Sequence, residues 1–486
     1  MKDKSLISKI WRICEVLRDD GVSCIDYLEQ FTVLLFLKIA DEHSKLYLNK
    51  SISIPKEFNW QSLKRLQGTA LKKHYELALK QLSVLPGMIG HIFMEMQNKI
   101  QDPLKLEKLI HLIDGNSWHQ AGDDFNGNVY EKLVERLAED TKKGAGQYFT
   151  PRVLIQVIIA CMRLKPKRTI IDPACGTGGF LLGAYEFIQN HYRLNAKVQQ
   201  FLRHKTFSGN EIVPTTRRLC LMNLFLKNIG SHQKEIVISS QDALQEIPKE
   251  RYDYVLANPP FGQKRSLGTL SQKKDYYHRP DFWVKTASKP LNFLQHIKTL
   301  LKPTGQAAVI VPDNVLFEGG AASMVRRKLL ETTDLHTILR LPAGIFYRAG
   351  VKTNVLFFDN KPALKKPWTK EVWFYDYRTN IRHTFKNNPL QFEYLVPFIE
   401  CYQAQNRESS KEFWSEKNPT GRWRKFSYEE LIARDNGNWD VHWLKDETAM
   451  DVEHLPTLEI LAAKVAESLR DSLSEFLLLS EAAKLK

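Results

Sequence analysis

Apolar residues recur at helical spacing from Leu6 to about Asp140: Ile7, Ile10, Trp11, Cys14 and Leu17 share one face, and the spacing returns along Tyr27 to Leu48. Pro55, Pro86-Gly87 and Pro103 divide this stretch into several helices, and a Gly-, Asn- and Asp-rich run from Asp114 to Asn128 precedes a last helix at Tyr130 to Ala138. After a basic, glycine-containing linker, Thr141 to Gly146, short apolar runs begin to alternate with helical stretches. Strands are expected at Arg168 to Ile171, Thr206 to Glu211, Ile236 to Ser239, Tyr252 to Ala257, Gln306 to Val311, Leu335 to Arg340 and Asn354 to Phe358. Helices are expected between them, near Gly179 to Asn190, Pro214 to Asn228, Pro290 to Leu301 and Ala322 to Glu331. Such alternation predicts an α/β fold with a mostly parallel, doubly wound, Rossmann-like sheet, whose ligands sit beyond the carboxyl ends of the strands.

Beyond about Asn360 the regularity gives way to a basic, aromatic segment with Trp368, Trp373, Tyr375, Tyr377, Arg378, Arg382 and Lys386. The chain closes on Leu458, Ala462, Val465, Leu469, Ser472, Phe476 and Leu479, which alternate steps of four and three as an amphipathic helix does, either packing on its own domain or reaching a partner subunit. The expected division is therefore a helical domain over 1–140, the α/β domain over 141–400 and a C-terminal region over 401–486 that ends in a helical tail.

Composition narrows the partners. Lys and Arg (70) outnumber Asp and Glu (55), and the resulting net charge of +15 favours a polyanion such as nucleic acid. The six cysteines show neither a Cys-x-x-Cys pair nor histidines at metal-ligand spacing, which fits a reducing cytoplasm and argues against structural zinc. No apolar run reaches the roughly 18 to 20 residues of a membrane span, so a cytoplasmic protein without membrane contact is expected.

Four strand ends carry chemistry. Asp172-Pro173-Ala174-Cys175-Gly176-Thr177-Gly178-Gly179 follows the first strand and opens a helix; its glycines allow close backbone approach. It matches neither the dinucleotide nor the phosphate-loop pattern, and the Asp172 carboxylate would repel a pyrophosphate while suiting the amino group of S-adenosylmethionine. Glu211, at the second strand end, suits ribose hydroxyls, and Asp242, after the third, an adenine amino group. After the fourth strand comes Asn258-Pro259-Pro260-Phe261. The prolines stiffen the turn, so the Asn258 side-chain oxygen and the Pro259 carbonyl form a fixed pair of acceptors for a planar amine whose ring stacks on Phe261. Upstream, Phe149 and Thr150 are placed to cover the methionine end of the cofactor. The loop after the tetrad, Gly262 to Trp283, carries Lys264, Arg265, Lys273, Lys274, Tyr276, Tyr277 and Arg279; it is either a DNA-strand grip or a surface loop.

Gly146-Gln147-Tyr148-Phe149-Thr150-Pro151, the run Asp172 to Phe180, Gly209-Asn210-Glu211 and Asn258 to Gly262 stand in the order that resembles the modification subunit of type I restriction-modification systems. The resemblance extends over Leu291 to His296, Gly305 to Val311, Leu341 to Phe346 and the helical N-terminal domain. It implies N6-adenine methylation of double-stranded DNA, with S-adenosylmethionine contacted by Gln147, Tyr148, Phe149, Thr150, Pro151, Arg152, Gly176, Thr177, Gly178, Gly179, Glu211 and Asp242. Asn258, Pro259, Pro260 and Phe261 would then hold the target base, and the reaction requires no metal. Further implied partners are a specificity subunit that binds two copies of this chain and, optionally, a motor-nuclease subunit. Two other readings stay open at this level: a protein-glutamine or ribosomal-RNA methyltransferase, which also uses an Asn-Pro-Pro tetrad, and a catalytically silent DNA-binding subunit.

Overall fold

The computed structural model describes residues 24–46, 54–115, 150–230, 237–262, 276–346, 351–384 and 388–446. The helices expected at Tyr130 to Ala138 and Leu458 to Leu485 lie outside these residues, as do Gln147, Tyr148 and Phe149. The chain divides into a large compact unit reaching His442 and a second unit, Trp443–Lys486, described only as far as residue 446. Among the described residues no helix is long and apolar enough to cross a membrane.

The N-terminal part is helical: α1 (Cys24–Leu46), a short turn at Trp60–Lys64, α2 (Gly68–Ser83), Met88–Phe93 and α3 (Pro103–Asp114). Pro103 does not interrupt α3 but starts it, because its missing N–H falls where none is needed and the Asp102 side chain accepts from the Leu104 N–H at 2.8 Å. Asp114 gathers the helices, accepting from Lys38 Nζ and Trp60 Nε1, each at 2.9 Å.

One nine-stranded sheet forms the rest, in the order β3-β2-β1-β4-β5-β7-β6-β8-β9. The strands are β1 (Ile170–Asp172), β2 (Phe207–Asn210), β3 (Ile238–Ser239), β4 (Tyr252–Ala257), β5 (Leu301–Pro312), β6 (Thr333–Leu341), β7 (Thr353–Asn360), β8 (Glu371–Asp376) and β9 (Trp423–Ser427). The first five in that order run parallel, and β7 inserts antiparallel between β5 and β6. Every residue of β7 is buried, as a strand covered on both faces must be. The accompanying helices are α4 (Arg152–Met162), α5 (Gly179–His191), α6 (Pro214–Leu226), α7 (Lys289–Leu300) and α8 (Ala321–Thr332). The chain steps from β1 to β2 on one side and returns to β4 on the other, so a switch point opens between the carboxyl ends of β1 and β4, where such sheets bind ligands.

The seven expected strands are present, but the basic aromatic segment is not irregular. It supplies β8, parallel to β6, and the sheet continues to β9, antiparallel to β8 and past the residue 400 at which the sequence reading ends the α/β domain. The aromatics are core: Trp373 stacks on Trp423 at 5.0 Å, and Tyr375 meets Phe398 edge-on. Arg378 is buried, donating to Asp313 at 2.6 Å and to Asp440 at 2.8 Å, while the fully buried Arg340 of β6 pairs with the same Asp440 and donates to the Val441 carbonyl.

The helical part is fastened to the sheet through α6. Arg218 donates to the carbonyls of Ile92 at 2.8 Å and Met94 at 2.9 Å and pairs with Glu29, and Phe36 meets Phe225 edge-on at 5.2 Å. This placement matters because α6 also supports the loop that follows β1.

Candidate active site

The loop after β1 is held from three sides. Cys175 N–H donates to the Asn210 carbonyl at 2.9 Å, Gly176 N–H to Glu211 Oε2 at 3.1 Å, and Asn223 Nδ2 of α6 to the Thr177 carbonyl at 3.0 Å. Gly176 and Gly178 lie at φ of +56° and +87°, where side chains are strained, and a Cβ on Gly178 would stand 2.8 Å from the Cys220 Sγ of α6. The α6 supports, Cys220 and Asn223, escape sequence reading because their partners are a glycine's Cα and a backbone oxygen more than 40 positions away.

Two acids flank this loop. Asp172 at the β1 tip is 2% exposed and accepts from the Ala174 N–H at 3.0 Å. Burial pushes its carboxyl up to about 8; the Ala174 amide opposes the shift and the Glu211 charge adds to it. Glu211 lies just beyond β2, is likewise raised by burial, and spans two loops, because Oε1 accepts from the Val213 N–H at 2.8 Å while Oε2 takes Gly176. Two carboxyls made costly to ionise by burial form a site that a cationic ligand relieves.

Across the switch point Asn258 follows β4. Its Nδ2 donates to Thr150 Oγ1 at 2.8 Å, whereas its buried Oδ1 has no hydrogen-bond partner among the described residues. A buried orphan acceptor is costly, and an amine donor entering here would satisfy it. Pro259 is buried, while Pro260 and Phe261 are half-buried, with Phe261 packed on the edge of the main core. Thr150 precedes Pro151, which caps α4, and Arg152 is the first residue of α4. The described part of the upstream motif thus reaches the tetrad through Thr150 and opens α4, whose Ile155 lies against Gly179 at the start of α5.

Asp242 sits after β3, with Oδ1 accepting from the Leu244 N–H at 3.0 Å and Oδ2 from the Tyr277 hydroxyl at 2.9 Å. Tyr277 and Arg279, from the loop that reads either as a DNA-strand grip or as a surface loop, are engaged inside the protein. Arg279 is 5% exposed, is bidentate to Asp281 at 2.8 and 2.6 Å and donates to the Glu246 carbonyl at 2.6 Å. A guanidinium so committed anchors the loop's end and cannot clasp a phosphate. Tyr276 is exposed, and residues 263–275, with Lys264, Arg265, Lys273 and Lys274, lie outside the described residues.

Residues 121–441 match the N-6 DNA methylase family and residues 6–114 the HsdM N-terminal domain. The chain is 37% identical over 515 residues to the type I restriction enzyme StySJI methylase subunit of Salmonella typhimurium, an alignment covering 98% of this chain and 94% of that one. Its fold is similar to the crystal structure of the type I restriction enzyme EcoKI M protein, with TM-score 0.54, 33% identity and coverage of 97% and 94% of the two chains. A chain from a structure of type I restriction-modification complex assembly and conformational transition aligns with TM-score 0.70 and 26% identity, over 100% of this chain and 99% of that one.

Proposed function

Because this chain belongs to the N-6 DNA methylase family, as a type I restriction-modification methylase subunit and an adenine-specific DNA methyltransferase using S-adenosylmethionine, we propose that it methylates N6 of an adenine flipped out of duplex DNA. The observation that carries the base-binding reading is the buried Asn258 Oδ1 just beyond β4, which no donor among the described residues satisfies, across the switch point from Asp172.

The described residues fit the cofactor. Asp172 would take its amino group, Glu211 its ribose hydroxyls and Asp242 its adenine amine; Gly176, where an added Cβ would meet nothing within 4 Å, would let the Gly176-Thr177-Gly178-Gly179 backbone approach it, and Thr150, Pro151 and Arg152 would line the near wall. Gln147, Tyr148 and Phe149 complete that wall in the proposal. Bound S-adenosylmethionine supplies a methyl group already activated by its sulfonium charge. The protein's part is alignment and electrostatics. Asn258 Oδ1 and the Pro259 carbonyl accept the two amine hydrogens, orienting the nitrogen lone pair and stabilising the positive charge that grows on it. Pro260 keeps that turn stiff, and Phe261 offers a ring face to the base, offsetting part of an unstacking cost of about a few kcal/mol. The proton leaves to water after the new bond has formed.

DNA is the partner that the charge of +15 favours, with phosphate contacts giving affinity but no sequence information. In this reading a separate specificity subunit selects the sequence and binds two copies of this chain, with the residues beyond Val441 as the docking segment, while the described N-terminal helices support the site through α6. A motor-nuclease subunit completes the restricting form, and methylation by this chain protects host DNA. Transfer of labelled methyl to adenine-containing duplex DNA, with and without the specificity subunit, tests the proposal. Label appearing on adenine N6 only when the subunit is present supports it. Cofactor binding without transfer in either arm would instead favour the silent DNA-binding reading.

A further inference from the structure

We propose that Tyr277 is a positioning residue for the cofactor, holding Asp242 in the orientation that reads the adenine amine. This rests on the assignment of Asp242 as the amine acceptor. The Tyr277 hydroxyl donates to Asp242 Oδ2 at 2.9 Å, and the Leu244 N–H donates to Oδ1 at 3.0 Å, so one hydrogen bond fixes each carboxylate oxygen. A carboxylate has about four acceptor sites, which leaves each oxygen able to accept once more. The half-buried Asp242 is therefore a preset acceptor rather than a saturated one.

Tyr277 is itself set firmly. It is 6% exposed and forms a small core with Leu244 and Phe293, against which Ala174, Ala243 and Phe282 pack. Ala174 belongs to the loop after β1 and Ala243 neighbours Asp242, so this small core joins two of the cofactor-facing loops. Phe282 lies beneath the Arg279 guanidinium, 4.4 Å from ring centre to its carbon, and Arg279 is fixed to Asp281 and to the Glu246 carbonyl just beyond Leu244. The stretch from Tyr277 to Phe282 thus leaves the base-binding tetrad's loop and returns as a wall of the cofactor's adenine side. Replacing Tyr277 by Phe keeps the ring and its packing and removes one donor; a charge-assisted hydrogen bond of this kind corresponds to about a ten-fold change in an equilibrium constant.

The test measures binding, not turnover. S-adenosylhomocysteine and its inosine counterpart, in which the adenine amine is replaced by a carbonyl oxygen, are titrated calorimetrically against the wild-type chain, Tyr277→Phe and Asp242→Asn. The wild type is expected to prefer the adenine ligand, and Tyr277→Phe to lose about ten-fold of that preference with affinity for the inosine ligand little changed. Equal weakening of both ligands in Tyr277→Phe would mean a packing defect and overturns the proposal, as does an unchanged preference. Asp242→Asn separates the two levels: if its preference also equals the wild type's, the Asp242 assignment fails, whereas loss of preference there but not in Tyr277→Phe refutes the role of Tyr277 alone.

Discussion

Asp172→Asn should make the cofactor-free protein more stable as pH rises while removing its grip on a cationic ligand. The side chain is buried, and its carboxyl is held near 8 against an ordinary 3.8. Its folded pKa lies above the unfolded one, so its contribution to stability is fully present below the unfolded value, falls as pH climbs, and is wholly lost above the folded value. At about 1.36 kcal/mol per unit, the loss between the unfolded pKa and pH 7 is on the order of 4 kcal/mol. Asparagine keeps an oxygen for the Ala174 N–H and never ionises, so its own cost does not vary with pH. Urea unfolding of both proteins without cofactor, at about pH 5 and pH 7.5, should show the gap moving in favour of the variant by roughly 3 kcal/mol. Calorimetric titration with S-adenosylmethionine should show wild-type affinity rising with pH up to about 8 as Asp172 ionises, and falling again once the ligand's own ammonium loses its proton, with the variant weak throughout. A stability gap that does not change with pH would refute the reasoning, since it would mean that Asp172 titrates alike in the folded and unfolded chains.

Three further outcomes follow from the geometry. Gly178→Ala forces a side chain into φ +87° and within 2.8 Å of Cys220 Sγ, so cofactor affinity should fall at least ten-fold and melting should shift down, by roughly 1–3 kcal/mol of strain; wild-type behaviour in a thermal-shift titration would show that the loop has slack. Thr150→Val removes the hydroxyl that accepts from Asn258 Nδ2 but keeps the side-chain shape on the cofactor wall, so transfer should slow about ten-fold with cofactor affinity little changed; single-turnover kinetics beside a binding titration checks this, and a parallel drop in affinity would mean that the hydroxyl serves the cofactor rather than Asn258. Arg279→Ala strands Asp281 and the Glu246 carbonyl and should cost about 3–5 kcal/mol in unfolding experiments while leaving the salt dependence of DNA binding by the assembled complex as it was; a shallower salt slope with intact stability would return Arg279 to the phosphate backbone.

The parallel half of the sheet was legible because its strands are short apolar runs closed by strong local breakers: glycines after Asp172, prolines after Asn258. The tail of the sheet was not. Trp373 and Trp423 lie 50 positions apart, and nothing near either residue announces that they stack; among basic neighbours, the aromatics of a short buried strand read as irregular chain. Arg378 and Arg279 failed in the same way, since the carboxylates that neutralise Arg378 come from distant segments and the Asp281 partner of Arg279 carries no mark of burial. At the site, residue types and order along the chain marked Asp172, Glu211, Asp242 and Asn258. Their existing partners, Gly176 on Glu211, Tyr277 on Asp242 and Thr150 on Asn258, depend on tertiary geometry that no periodicity encodes.

The segment after β9 bears on where this chain can be cut. Arg326 of α8 donates to the Gly437 carbonyl at 2.9 Å, Trp439 is fully buried with its backbone N–H on the Leu316 carbonyl, and Asp440 neutralises Arg340 and Arg378 together. A fragment ending near residue 400 would lose a sheet strand and leave two buried guanidiniums short of their shared carboxylate, in a structure whose net stability is only about 5–15 kcal/mol. The folded α/β unit therefore extends through Val441, so residues 447–486 can be removed for separate study only by cutting beyond that residue.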